Sequence, residues 1–320
     1  MAVAQCPASC GELIQGWILG SEKLVSCPVE WYSTVEVTSG SPLTDERPLS
    51  RAMVERLLLH WQYPAQMSQD IRIDVQSTIP VAKGMASSTA DIAATAIATA
   101  QYLGHQLDES TLAQLCVSLE PTDSTVFRQL TLFDHNDAST QIACEAQPQL
   151  DLLVLESPET LLTADYHRTP RQSGLLAGAP ALKRAWEKVQ EACISQNPYR
   201  MGEAATLSAI ASQLLLPKPN FDSLLALVEE CDLYGINVAH SGSVVGLMLD
   251  RKRHDVDYIK WMLTQKKLTE HWPEQHLLRM VTGGGELQKG PPLSSDPDKH
   301  KIVTRLSLRR FSLRPSLSAF

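Results

Sequence analysis

No run in this chain approaches the roughly 18 consecutive apolar residues that a membrane-crossing helix needs. Met1–Glu12 also lacks the basic segment and apolar core of a secretory leader. A surplus of positive charge is missing too: 28 Lys and Arg stand against 36 Asp and Glu, a formal net charge of −8. A nucleic-acid binder would normally show a basic face, so nucleic acid and membrane are both set aside as partners, while a local basic pocket for a small anion remains open. The seven cysteines include no Cys-x-x-Cys pair, and Cys6 and Cys10 have no His or Cys pair nearby to complete a zinc site. Scattered thiols, odd in number, point to small buried hydrophobes in a reducing compartment, and so to the cytoplasm. No internal repeat is found.

What is present fits an ordinary globular protein. The 320 residues suffice for two domains at roughly 100–200 residues each. Residues 23–38 are rich in β-branched and aromatic types; Trp31 to Thr38 is the best strand, and Pro28 marks a break or an edge. Pro48 to Trp61 reads as a helix with Met53, Leu57 and Leu58 on one face, and Ile71 to Val75 alternates as a half-buried strand does. Asp108 caps a helix that runs to Leu119 and is stopped by Pro121. Leu150 to Leu155 reads as a buried strand, followed by helical patterns at Ala181–Gln196, Arg200–Leu215 and Phe221–Leu233 and a strand–turn–strand signal at Ile236–Leu249. Strands and helices are interleaved without steady alternation, so an α+β pair of domains fits best, with residues 1–155 and 156–288 as the two units. From Lys289 to Phe320 seven basic residues stand against two acidic ones with no clear period; this is a poorly ordered basic extension or a tail for an anionic partner.

The segment that carries chemistry runs from Ile79 to Thr89 and leads into an alanine-rich helix. Gly84 allows a sharp turn with the amides facing inward. Ala86, Ser87 and Ser88 are small enough for a phosphate to approach the main chain, and the helix N-terminus adds unpaired N–H groups and the positive end of its dipole. Ser87, Ser88 and Thr89 bring hydroxyls for phosphate oxygens or Mg²⁺. This is not a Walker A loop, because the second Gly and the Lys-Ser/Thr pair are missing. By composition alone the same residues also serve an ordinary N-capped helix after a glycine turn.

Three segments in order resemble one family. Pro80-Val-Ala-Lys-Gly-Met-Ala-Ser-Ser88 is similar to the ATP-binding signature of the GHMP kinases; Cys6-Pro-Ala-Ser-Cys-Gly-Glu12 resembles their first motif, and Ala239-His-Ser-Gly-Ser-Val-Val-Gly246 their third. The resemblance implies a two-domain fold. A ribosomal S5 domain 2-like N-terminal part carries the ATP loop, and a ferredoxin-like C-terminal part completes the substrate cleft. It implies ATP and Mg²⁺ as cofactors, with ATP held by Pro80, Val81, Ala82, Lys83, Gly84, Met85, Ala86, Ser87, Ser88 and Thr89. The first motif, with Glu120-Pro-Thr-Asp-Ser-Thr125 and Val238-Ala-His-Ser-Gly-Ser-Val-Val-Gly246, resembles the branch of the family that phosphorylates the hydroxyl of L-threonine, whose product feeds the aminopropanol linker of cobalamin. Homoserine or another small hydroxylated metabolite is the alternative substrate, and a non-catalytic ligand sensor on a kinase fold is the more distant one.

A kinase has to position the γ-phosphoryl group, offset its charge and orient or deprotonate the attacking hydroxyl. Asp123 follows a helix stop, where a loop-borne base is commonly found, and lies where mevalonate kinase-like members carry their catalytic Asp; the plain alternative is a turn cap. Ser88 and Glu120 are the candidate Mg²⁺ ligands, Glu120 being otherwise a solvated helix-end carboxylate. Glu12 is placed in the substrate site to pair with an ammonium, or else is a buried structural acid. Lys83 faces phosphate or solvent. Ser241, Gly242 and Ser243 close the pocket near substrate, and His240 beside them reads as structural. One departure stands out: where many members carry a Lys in the first motif beside the catalytic Asp, this chain has Ser9.

Overall fold

The computed structural model describes residues 1–161 and 171–288; the expected basic tail, 289–320, lies outside the described residues. The fold starts from a long hairpin that sequence analysis recognised only in part. Strands β1 (Ala2–Ile18) and β2 (Ser21–Ser39) pair antiparallel along their length, joined by Leu19 and Gly20, both at positive φ. Two such residues give the turn whose twist matches that of the flanking strands. Strand β2 runs straight through Pro28, where a break was expected. Pro28 lies opposite Ser9, where the β1–β2 register shifts and a missing donor is tolerated, and its carbonyl accepts from the Val281 N–H at 3.0 Å.

The remaining strands are β3 (Ile71–Ser77), β4 (Thr131–Phe133), β5 (Gln141–Ala143), β6 (Asp151–Glu156), β7 (Gly235–Val238), β8 (Val245–Leu249), β9 (Glu274–Arg279) and β10 (Glu286–Leu287). All strand pairings are antiparallel, and the sheet order is β5-β4-β2-β1-β7-β8-β6-β9, with β3 on β2 and β10 on β1. Seven α-helices are described: α1 (Pro48–His60), α2 (Ser87–Leu103), α3 (Glu109–Val117), α4 (Gln172–Ser195), α5 (Pro198–Ser212), α6 (Phe221–Glu230) and α7 (Val256–Gln265). Helix α4 starts nine residues before the expected Ala181, with Pro180 inside it; the expected cap of α3 is present, Asp108 accepting from the Thr111 N–H at 2.8 Å.

Strand β6 shows why Leu150–Leu155 reads as continuously apolar. Successive side chains of a strand point to opposite faces. Leu152 and Val154 join the core built on β1, β2 and α1–α5, while Leu153 and Leu155 join a second core with Leu247, Leu249, Leu224, Ile259 and Trp272. A strand covered on both faces loses its polar alternation.

Candidate active site

The three sequence motifs meet through their backbones. The Ser9 and Gly11 N–H groups donate to Met85 O and Gly84 O at 3.1 and 3.2 Å, and the Ser243 and Val244 N–H groups donate to Lys83 O at 2.9 and 3.1 Å. Such contact needs residues without side chains at the crossing. Gly84 holds φ +80°, and a Cβ there would lie 2.3 Å from Ala239 Cβ and 3.0 Å from Gly242 Cα; a Cβ on Gly242 would lie 2.3 Å from Lys83 O. The Lys83 side chain, only 7% exposed, is turned away from the cleft: its ammonium donates to Ser157 O and Glu159 O, and Ser243 Oγ donates to Glu159 O at 2.8 Å. Lys83 and Ser243 therefore anchor the loop to residues 157–159 instead of facing a ligand, and those bonds satisfy the donors of a buried ammonium.

A cleft of about 410 Å³ opens beside this crossing. Val81, Ala82, Gly84 to Thr89, Glu120 to Asp123 and Ser241 line it with Glu12 and Gln15, whereas Pro80, Lys83, Gly242 and Ser243 do not. Helix α2 enters it N-terminus first. Its N-cap, Ala86, sits at φ 56°, ψ 27° and makes no side-chain cap, so the serines do not close the helix end as an ordinary cap would. The first-turn amides and the positive end of the dipole are left on the cleft wall, the arrangement that attracts an anion.

Beside that helix start lies a group of carboxylates. Asp123 accepts from Thr89 Oγ1 at 3.2 Å and from Ser26 Oγ at 3.4 Å, and its own N–H donates to Thr89 Oγ1 at 3.2 Å. Burial, first, and then the negative charge of Glu12 push its carboxyl from 3.8 up to about 7, against the lowering effect of the Thr89 hydrogen bond. Burial also raises the Glu120 carboxyl, against the lowering effect of the Ser88 hydroxyl, so these two residues lie near each other on the cleft. Ser9 is fully buried; its hydroxyl donates to Gly11 O and accepts from the Cys27 N–H at 2.9 Å. Among the described residues no Lys or Arg is hydrogen-bonded to Asp123.

Glu12 is 3% exposed, and its Oε2 accepts from the His240 N–H at 2.8 Å and lies 2.9 Å from His240 Nδ1. The other imidazole nitrogen lies 3.0 Å from Ser208 Oγ, which itself accepts from the Gln15 N–H at 3.0 Å. Nδ1 also lies 3.1 Å from Val238 O, which can only accept, so the imidazole proton sits on Nδ1, toward Glu12, and Nε2 is left to accept from the Ser208 hydroxyl. His240, expected to be structural, orients an acid of the cleft.

Sequence reading missed Gln15, Ser208 and Lys218. Lys218 is buried, donates to Gly242 O at 2.8 Å, and is pushed down to about 8 by burial, against the attraction of Glu12. Ser208 and Lys218 stand in no recognisable motif, and Gln15 follows the first motif closely; only the fold turns all three toward Glu12. No group of three or more His, Cys, Asp or Glu side chains with metal-holding geometry exists among the described residues.

Residues 49–127 match the model of the GHMP kinases N terminal domain. An L-threonine kinase from Citrobacter freundii is 92% identical over 288 residues, 90% of this chain and 100% of the relative. An L-threonine kinase from Salmonella typhimurium is 77% identical over 288 residues, 90% of this chain and 96% of the relative. Among solved structures, the mevalonate diphosphate decarboxylase from Staphylococcus aureus has the same fold at 15% identity, with a TM-score of 0.65 over 90% of this chain and 98% of the other.

Proposed function

The chain belongs to the GHMP kinases, and on that footing we propose that it transfers the γ-phosphoryl group of ATP to the side-chain hydroxyl of L-threonine, giving ADP and O-phospho-L-threonine. The observation that carries the reading is the uncapped start of α2 beside a buried carboxyl, Asp123, whose pKa burial raises to about 7, both lining one cleft. In this reading the nucleotide phosphates lie on the amides of Ser87 to Thr89, with the Ser87 and Ser88 hydroxyls alongside. The threonine hydroxyl is directed at the γ-phosphorus from the Asp123 side. As its oxygen bonds to phosphorus, the bond to the β–γ bridging oxygen breaks, the hydroxyl proton passes to Asp123 and ADP leaves. A carboxylate whose proton affinity has been raised toward neutrality suits that task better than a solvated one.

Glu12 and Glu120 both raise the proton affinity of Asp123 at one end of the cleft, and a divalent cation there would offset that crowding of negative charge. Ser88 and Glu120, which line the cleft close enough for the Ser88 hydroxyl to lower the Glu120 carboxyl, are the residues that would hold Mg²⁺. When bound, the ion offsets charge on the β and γ oxygens. Glu12, fixed by His240, receives the substrate ammonium, and Ser241 closes the pocket. The reading also carries the division into an ATP-binding part, 1–155, and a C-terminal part, 156–288. It includes a cytoplasmic location and supply of the cobalamin linker.

The test is ADP release across L-threonine, L-serine and L-homoserine, with the product located by phosphorus NMR. L-Threonine is expected to give the highest kcat/KM. ADP release with L-threonine no faster than background ATP hydrolysis would refute the assignment, and faster turnover of L-homoserine would move it within the family.

A further inference from the structure

We infer that Gln15 is the second half of an ammonium socket in the cleft, and that with Glu12 it makes the enzyme select α-amino acids over the corresponding hydroxy acids. The inference rests on the amino-acid kinase reading above and adds the residue that sets its substrate class. Gln15 is 5% exposed, lines the cleft, and its carboxamide oxygen is buried with no hydrogen-bond partner. Buried polar atoms in folded proteins are nearly always paired, so an orphan in a side chain that lines a cleft calls for a donor, which a ligand supplies once the terminal amide turns to meet it.

Its neighbour has the matching property. Both described hydrogen bonds to Glu12 fall on Oε2, and none among the described residues falls on Oε1. Two residues three apart on an unbroken strand point to opposite faces. Here the pairing moves from Glu12↔Ser26 to Ile14↔Val25, so Leu13 is an extra residue on β1, and that bulge returns Glu12 and Gln15 to the same wall. The two are also tied together from behind, since the Gln15 N–H, Ser208, His240 and Glu12 form one hydrogen-bonded chain. The socket thus has one charged and one neutral acceptor on a braced frame. A protonated amine, with three N–H donors, satisfies both; a hydroxy acid lacking it leaves both unpaired.

The experiment compares wild type, Gln15→Met and Gln15→Glu on L-threonine and on 3-hydroxybutyrate, which keeps the hydroxyl and carboxylate but lacks the amine. Met keeps the length of the side chain and removes the acceptor; Glu restores one. Gln15→Met should raise KM for L-threonine about tenfold or more, leave KM for ATP and kcat within about twofold, and reduce the preference for L-threonine over 3-hydroxybutyrate by the same factor. Gln15→Glu should retain most of that preference. An unchanged preference in Gln15→Met, or equal losses on both substrates, overturns the socket while leaving the kinase intact. Wild-type turnover of 3-hydroxybutyrate as fast as L-threonine does the same. Wild type inactive on every amino acid overturns the parent reading and the socket with it.

Discussion

Asp123 faces opposed demands. Its carboxyl is raised from 3.8 to about 7 by burial and by Glu12, so between those values the folded protein holds a proton that the unfolded chain has released. The stability contributed by this group is therefore full below the lower value and is lost as pH rises through the upper one. The basic form needed for proton transfer grows over the same interval, so turnover should climb toward a plateau above pH 7 while stability declines. Asp123→Asn is expected to lower kcat by roughly 10²–10⁴ with KM for ATP little changed. It should also raise Tm by a few degrees at pH 8, an advantage that fades at pH 4. Steady-state kinetics and thermal melts at the two pH values check both halves; an unaltered kcat would remove Asp123 from the proton path.

Among the elements, the crossing of loop 79–89 with the β7–β8 turn is where small changes should matter most. Gly84→Ala puts a methyl group 2.3 Å from Ala239 Cβ at a backbone torsion of φ +80°, and a cost of roughly 1–3 kcal/mol follows from crowding together with strain. Urea unfolding should show that loss, and calorimetric titration should show ATP binding weakened beyond it, because the Ser9 and Gly11 hydrogen bonds to the loop shift together. Lys218→Met removes the ammonium from Gly242 O and should cost about 2 kcal/mol, typical of a charge-assisted hydrogen bond, with the urea m value unchanged. A smaller loss would mean that Gly242 finds another donor. The signals that made α1, α3 and β3 legible are local: a face of leucines, an Asp cap, a strict alternation. Strand β1 was not legible, because Cys6 to Gly11 carries a Pro, small residues and a Gly, poor strand formers that are held in place by β2 and by the loop.

For the molecule as a whole, the cleft draws on residue 12, residues 84–89, residues 120–123 and residue 241, so it exists only when strands far apart in sequence are assembled. Ligand binding should accordingly stabilise the entire described fold. ATP with Mg²⁺ at about 100 times its Kd is expected to add about 2.7 kcal/mol to the unfolding free energy, read as a rise in Tm, and L-threonine should add to it. A Tm indifferent to ATP would count against the nucleotide site. By itself the sequence determined the mixed helix-and-strand class and the family, and it marked out the loop proposed for phosphate, since glycine, small residues and a helix start act on an anion through nearby backbone. Which side chains face the ligand was decided only by the tertiary structure. Lys83 is drawn off to the carbonyls of Ser157 and Glu159, while a bulge at Leu13 turns Gln15 inward beside Glu12. Lys218 and Ser208 arrive from more than 190 positions away. Orientation depends on strand register and on which acceptors are left unpaired at a crossing, and those are properties of assembled strands that no local run of residues contains.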